Sequence, residues 1–193
     1  MLKLASTKEE VARELADFRA GCSSERLFSC PIRPAALIDG LCYCHASLPR
    51  ALIFYARSWL LLFLLRLPFN RPKLWILRRC GAKIGRDVQI ATDVWIDPLF
   101  VDFVEIGDEA LIGVGAKIAL HMCTTEHFKV GRVKIGRRAV VGGFSLLLPG
   151  IEIGENAMVA GGAVVGHDVP PGATAIGNPA RIQRSTQEAT ACT

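Results

Sequence analysis

VKIGRRAVVGGFSLLLPGIEIGENAMVAGGAVV, residues 133–165, decides the fold. Every sixth residue from Ile135 is aliphatic: Ile135, Val141, Leu147, Ile153, Val159 and Val165. Working outward toward the N-terminus, the same count recurs at Ile106, Ile112 and Ile118, and again at Ile84, Ile90 and Ile96. Two residues before each stands a small or branched side chain, as at Ala82, Val88, Ala110, Ala139, Ser145 and Ala163. Gly follows seven of the twelve aliphatic positions and Ala three. A helix repeats near 3.6 residues and a plain strand near 2, so neither produces a period of six. Short strands that turn corners and stack coil on coil do produce it, and the expected fold is a parallel β-helix. About half the chain is apolar, so twelve successes in a row have odds of roughly one in several thousand by chance.

Three hexads make one triangular coil, so the twelve predict about four coils: 84/90/96, 106/112/118, 135/141/147 and 153/159/165. Two insertions break the count. Ile96 to Ile106 spans ten residues and Ile118 to Ile135 seventeen. Both follow the third hexad of their coil and therefore leave the prism at one edge, where chemistry is expected because loops carry function on rigid scaffolds. Residues 1–80 read as a helical, basic and apolar N-terminal appendage, 81–170 as the β-helix, and 171–193 as a Pro-rich exit and tail. Ser6 or Thr7 followed by Glu9 or Glu10 resembles a capping box opening a helix through about Ala20.

The net charge of +5 is concentrated. Between Gly40 and Asp87 no Asp or Glu occurs, while Arg50, Arg57, Arg66, Arg71, Lys73, Arg78, Arg79, Lys83 and Arg86 do. The same stretch holds ALIFYARSWLLLFLLRLPF, residues 51–69. Arg57 and Arg66 leave only Ser58–Leu65 uncharged between them, too short for a spanning helix. Residues 51–69 are expected either in the interface of an anionic membrane or packed against protein. Seven Cys, an odd number without a CxxC pair, argue against a disulfide framework. Cys42, Cys44 and His45, with Cys22 and Cys30 upstream, lack the second matching pair of a structural zinc site. With no secretory signal read near Lys3, Lys8, Glu9 and Glu10, a cytoplasmic location is expected, peripheral on the inner membrane face if the apolar segment binds there. No nucleic-acid partner is expected.

GAKIG (81–85), VEIGDEALIGVGAKI (104–118), GRVKIG (131–136), LLPGIEIGENAMVAGGAVV (147–165) and DVPPGATAIGNPARI (168–182) together resemble the hexapeptide-repeat acyltransferases. The resemblance covers about Leu74 to Arg184 and is closest to the maltose, galactoside and polysaccharide O-acetyltransferase branch. It implies a left-handed coil, a homotrimer, acetyl-CoA as co-substrate without a metal, and a saccharide acceptor, which the basic apolar segment 51–69 makes a lipid-linked or surface glycan. The family's general base is a His on the long loop, and His121 occupies that position. An imidazole, ordinarily titrating near neutrality, suits proton abstraction from an alcohol that attacks a thioester. Leu120 and Met122 replace the polar and acidic neighbours usual in relatives, leaving Glu126 as a candidate to orient the ring. His127 competes as base, and Cys123 is a weaker candidate for an acyl-carrying nucleophile.

The family's cofactor positions fall on Gly143, Gly161, Gly166, His167 and Arg184, with Arg181 nearby. Gly143 and Gly161 lie eighteen residues apart and so stack in adjacent coils, leaving a groove for an extended pantetheine arm. Relatives carry Thr and Lys at Gly166 and His167, so Arg181 and Arg184 are expected to supply phosphate contacts. The acceptor position matches Asp97. Two other readings stay open: an inactive β-helix scaffold or membrane assembly subunit, and a carbonic-anhydrase-like metalloenzyme of the same scaffold, for which His121, His127 and His167 are poorly spaced.

Overall fold

The computed structural model describes residues 8–21, 25–31, 48–124 and 127–183. Its strands build a three-sided parallel prism. One face stacks Lys83–Ile84, Val104–Ile106, Val133–Ile135 and Glu152–Ile153. The second stacks Gln89–Ile90, Leu111–Ile112, Val140–Val141, Met158–Val159 and Thr174–Ile176, and the third Trp95–Ile96, Lys117–Ile118, Leu146–Leu147 and Val164–Val165. The register follows the hexads: Ile106 pairs with Ile84 and Ile135, Val141 with Ile112 and Val159, Leu147 with Ile118 and Val165. About four coils result. The stack continues past the last hexad, through Val169 beside Ile153 and, in the exit segment, Ala175 beside Val159.

The aliphatic and small positions of each hexad fill the prism. Ile96, Ile112, Ala116, Ile118, Ile135, Ala139, Leu147, Ile153 and Ala163 are fully buried. Stacking this close leaves no room for side chains at the corners. A Cβ on Gly142 would lie 2.5 Å from Gly161 N, and one on Gly113 2.5 Å from Gly143 N. At the next corner position the chain turns through left-handed backbone, at Asp87, Asp93, Glu109, Arg138, Phe144 and Asn156. Short polar side chains tolerate that region; Phe144, at φ 57°, is a poor choice for it and carries local strain.

Ahead of the prism lie three described helices: α1 (Lys8–Ala20), α2 (Leu48–Arg66) and α3 (Asn70–Arg79). The apolar run 51–69 therefore lies in one helix, α2, which stops at Arg66 just ahead of Pro68, and α3 begins beyond the run. Among the described residues no helix is long and apolar enough to cross a membrane.

Helix α3 closes the first coil. Along the strands a coil's N–H groups donate to carbonyls of the next, as Ala91 N to Ile112 O and Gly113 N to Val141 O, while at the corners the next coil donates back, as Glu109 N to Arg86 O. The first coil's outward-facing carbonyls have no preceding coil to serve them, an open edge that must be covered. Side chains of α3 supply the donors. Asn70 Nδ2 donates to Val88 O (2.7 Å), Lys73 Nζ to Ile90 O (3.0 Å) and Ala91 O (2.6 Å), and Arg78 Nη2 to Gly85 O (2.7 Å). Asn70 Oδ1 also accepts from Ile90 N (3.0 Å). Lys73 is fully buried, and burial pushes its ammonium pKa down.

The basic run therefore does less at the surface than its composition implies. Lys73 and Arg78 cap carbonyls, while Arg66, Lys83 and Arg86 pair with Asp93, Glu105 and Asp108. Replacing Lys73 by Met strips two carbonyls of their donor. The relief of burying an ammonium offsets part of this, and a net loss of about 1–3 kcal/mol is expected. It is read as a lower urea midpoint at unchanged slope; an unmoved midpoint contradicts the capping role.

Candidate active site

The longer insertion is a hairpin rather than a loop. His121–Cys123 pairs antiparallel with His127–Gly131, whose other edge pairs with Leu27–Pro31. These strands form a sheet of their own, so the coil count is undisturbed. Leu120 anchors the hairpin: it is fully buried in the prism core, and its carbonyl accepts from Gly131 N (2.9 Å). Aromatic rings tie the two insertions together. Phe100 and Phe103 of the shorter one stack at 5.6 Å, Phe103 meets Phe18 of α1 edge-on at 5.4 Å, and Phe100 lies 6.3 Å from Phe128 of the hairpin.

This cluster sets the ring of His121. Phe100 and Phe128 flank it at 5.7 and 6.1 Å between centroids. Its Nδ1 donates to Asp97 Oδ2. Asp97 is 1% exposed, and its other oxygen accepts from Leu99 N (3.0 Å). The pair follows from coil register. Ile96 and Ile118 are stacked partners, so Asp97, next after Ile96, comes beside the start of the hairpin. Bound at Nδ1, the ring keeps the tautomer that leaves a lone pair on Nε2, the form a general base requires. The His121 side chain is 27% exposed and lines a cavity of about 280 Å³, whose other walls include Tyr55, Trp59, Leu62, Trp95, Pro98 and Leu99.

Asp97, expected as an acceptor contact, is thus engaged with His121, in the orienting role considered for Glu126. Glu126 and Arg184 lie outside the described residues. His127 is exposed, and among the described residues no carboxylate meets its ring; its backbone N–H donates to Thr124 Oγ1 (2.9 Å). Burial, then the charge of Asp97, pushes the Cys123 thiol pKa up, which leaves less thiolate to act as nucleophile.

Gly143 and Gly161 do stack: the nearest atom to a Cβ on Gly161 would be Gly143 O, at 3.3 Å. Both sit at the corner between the second and third faces. Gly166 and His167 follow the third face, on the same edge as His121 but two coils further along. Arg181 is exposed on the exit strand Arg181–Gln183, opposite Ile176. Within one chain the Gly143–Gly161 corner and the His121–Asp97 pair are therefore separated by the width of a prism face. Phe144, 72% exposed beside that glycine corner, escaped the sequence reading. Its signal was an aromatic residue where the corresponding corners carry Asp87, Asp93, Glu109, Gly115, Arg138, Gly150, Asn156 and Gly162. Among the described residues no group of three His, Cys, Asp or Glu is placed to hold a metal ion.

Comparisons with known proteins agree with this architecture. The family model "Bacterial transferase hexapeptide (six repeats)" matches residues 132–167. A Bacillus subtilis (strain 168) protein named "Putative acetyltransferase YvoF" is 34% identical over 122 residues, 63% of this chain and 71% of its own length. A Staphylococcus aureus (strain MRSA252) relative of the same general name, SAR2635, is 32% identical over 127 residues, and the chain spans 59% of it. Among solved structures, the hexapeptide-repeat acetyltransferase VCA0836 from Vibrio cholerae superimposes with a TM-score of 0.57 at 21% identity, over 73% of this chain and 94% of that one. A maltose O-acetyltransferase from Clostridium difficile 630 gives 0.50 at 19% identity, over 68% and 87% of the two chains. The fold is a left-handed parallel β-helix with a small helical part, and the chain belongs to the hexapeptide-repeat acyltransferase family.

Proposed function

We propose that the protein transfers an acetyl group from acetyl-CoA to a hydroxyl of a saccharide or glycan acceptor, directly and without an acyl-enzyme, within a ternary complex. The observation that carries this reading is the His121–Asp97 pair, held at the edge where both insertions emerge and open to a cavity. His121 Nε2 takes the proton as the acceptor oxygen attacks the thioester carbonyl. The tetrahedral intermediate then expels the CoA thiolate, which recovers that proton from the imidazolium; the products are the acetyl ester and free CoA. Asp97 is the positioning residue: it holds the tautomer and stabilises the imidazolium while it exists.

Acetyl-CoA is proposed to run along the corner of Gly143 and Gly161, with Gly166, His167, Arg181 and Arg184 toward its phosphate end. Because that corner lies a face away from His121 on the same chain, a homotrimer is the proposed assembly, one subunit offering the groove and its neighbour the base. No metal enters the reaction. The exposed side chains of α2, among them Leu52, Ile53, Leu60 and Phe63, support a peripheral position on the cytoplasmic face of an anionic membrane.

The test is thiol release from acetyl-CoA over a panel of saccharide acceptors. Asp97→Asn is expected to lower kcat by about 10²-fold or more, with the Kd for acetyl-CoA by calorimetry within about threefold of the parent. A loss confined to KM, or an equal loss of binding and turnover, contradicts the positioning role.

A further inference from the structure

The cavity at His121 is walled on one side by α2. Trp59 and Leu62 face Trp95, Pro98 and Leu99 across it. A second cavity of about 370 Å³ adjoins it, sharing Trp59, Leu62 and Trp95 and reaching Phe63, Arg66 and Asp93. Together they form a trough along α2 from Tyr55 to Arg66, about 16 Å of helix. Its lining includes the proposed catalytic imidazole. Its outer rim continues onto the apolar surface of α2, where Trp59 is 74% exposed and Phe63 61%.

A free sugar is a poor fit here. Its many hydroxyls each need a donor or acceptor on leaving water, and beside Tyr55, Ser58, Asp97 and His121 the cavity is lined by Trp59, Leu62, Trp95, Pro98 and Leu99. The carboxylate in reach, Asp97, is already engaged by His121 and Leu99 N.

We infer that this trough takes the hydrocarbon chain of an amphiphilic acceptor, with the hydroxyl-bearing head placed at His121. The inference rests on the acetyl-transfer reading of that site and narrows its substrate to a lipid-linked one. Three features fix the occupant as the acceptor's own chain. The base is part of the trough's wall, so a head group carried by whatever fills the trough comes beside the imidazole. It is continuous with the apolar outer face of α2, so a chain anchored in a bilayer can enter sideways. Its walls are rigid where they matter, because α2 is seated on the prism through buried Ser58, Leu61 and Leu65.

The test uses the full chain and measures how fast diethyl pyrocarbonate modifies each histidine, by peptide mass mapping. The probes are n-octyl β-D-glucopyranoside below its micellar concentration and D-glucose at the same concentration. Octyl glucoside is expected to slow modification of His121 by at least about tenfold, the gain from burying two methylenes, without slowing His127; glucose leaves His121 unchanged. Trp59→Ser, at a largely exposed position that the fold tolerates, is expected to remove most of the protection. Equal effects of the two probes, no protection, or protection untouched by Trp59→Ser each overturn the inference. So does a His121 unreactive in the protein alone, the mark of a second copy seated on the trough. Thiol release from acetyl-CoA on the same preparation keeps the two readings apart. Turnover without chain-dependent protection sinks the trough alone. Protection without turnover sinks acetyl transfer and leaves an amphiphile site.

Discussion

His121→Ala is expected to lower kcat for acetyl transfer by about 10²- to 10⁴-fold, the usual contribution of a positioned general base. An alcohol is a weak nucleophile until its proton leaves, and near His121 no other described group is placed to take it. Asp97 is buried with both oxygens engaged, and the Cys123 thiol is pushed up by burial and the nearby carboxylate. The control is His127→Ala. That ring is exposed on the far strand of the hairpin, and its loss is expected to change kcat by no more than about twofold. Parity between the two variants in a thiol-release assay assigns the base elsewhere. Circular dichroism and a melting curve accompany both variants, because His121→Ala takes a partner from the buried Asp97 carboxylate.

Gly142→Ala is expected to reduce stability by about 3 kcal/mol or more, at the upper end of overpacking effects. The added Cβ would lie 2.5 Å from Gly161 N, 2.6 Å from Val159 O and 2.7 Å from Ala160 C. All three are backbone atoms of the next coil, and the coils are already locked by Gly142 N donating to Val159 O at 2.8 Å. Nothing there can rotate aside, so the coils must part and surrender ladder hydrogen bonds. The contrast is Gly161→Ala. Its Cβ would meet only Gly143 O, at 3.3 Å, and a loss below about 1 kcal/mol is expected. If the groove reading holds, Gly161→Ala instead raises KM for acetyl-CoA, since the methyl projects toward the pantetheine path. Chemical denaturation and a KM measurement on the two variants separate a glycine needed by the stack from one needed by the cofactor.

How far these features could be read from residues alone depended on whether they obey the period. Register, coil order and the shared edge of the two insertions followed from counting by six, because one stacked coil dictates the next. The His121–Asp97 contact is within the same logic, since the period puts Ile96 and Ile118 in adjacent coils; the ring's position within the insertion carries no periodic signal, so the sequence alone points Asp97 toward the acceptor instead. The hairpin 121–131 was hidden because its partner strand, Leu27–Pro31, lies about a hundred residues away in an unrelated segment. The role of Lys73 and Arg78 was hidden for a different reason. Composition shows a basic run, and only the direction of the ladder hydrogen bonds shows that the first coil presents unserved carbonyls to it. Likewise residues 51–69 showed an apolar helix, but not that one side of it would wall the cavity at His121.

The most direct measurement of the central claim is a structure of the assembled protein with CoA bound. The account predicts the pantetheine arm along Gly143 and Gly161 of one chain and its thiol beside His121 Nε2 of the neighbouring chain, with Asp97 still on Nδ1. CoA bound with its thiol remote from every His121, or no CoA bound at saturating concentration, contradicts it.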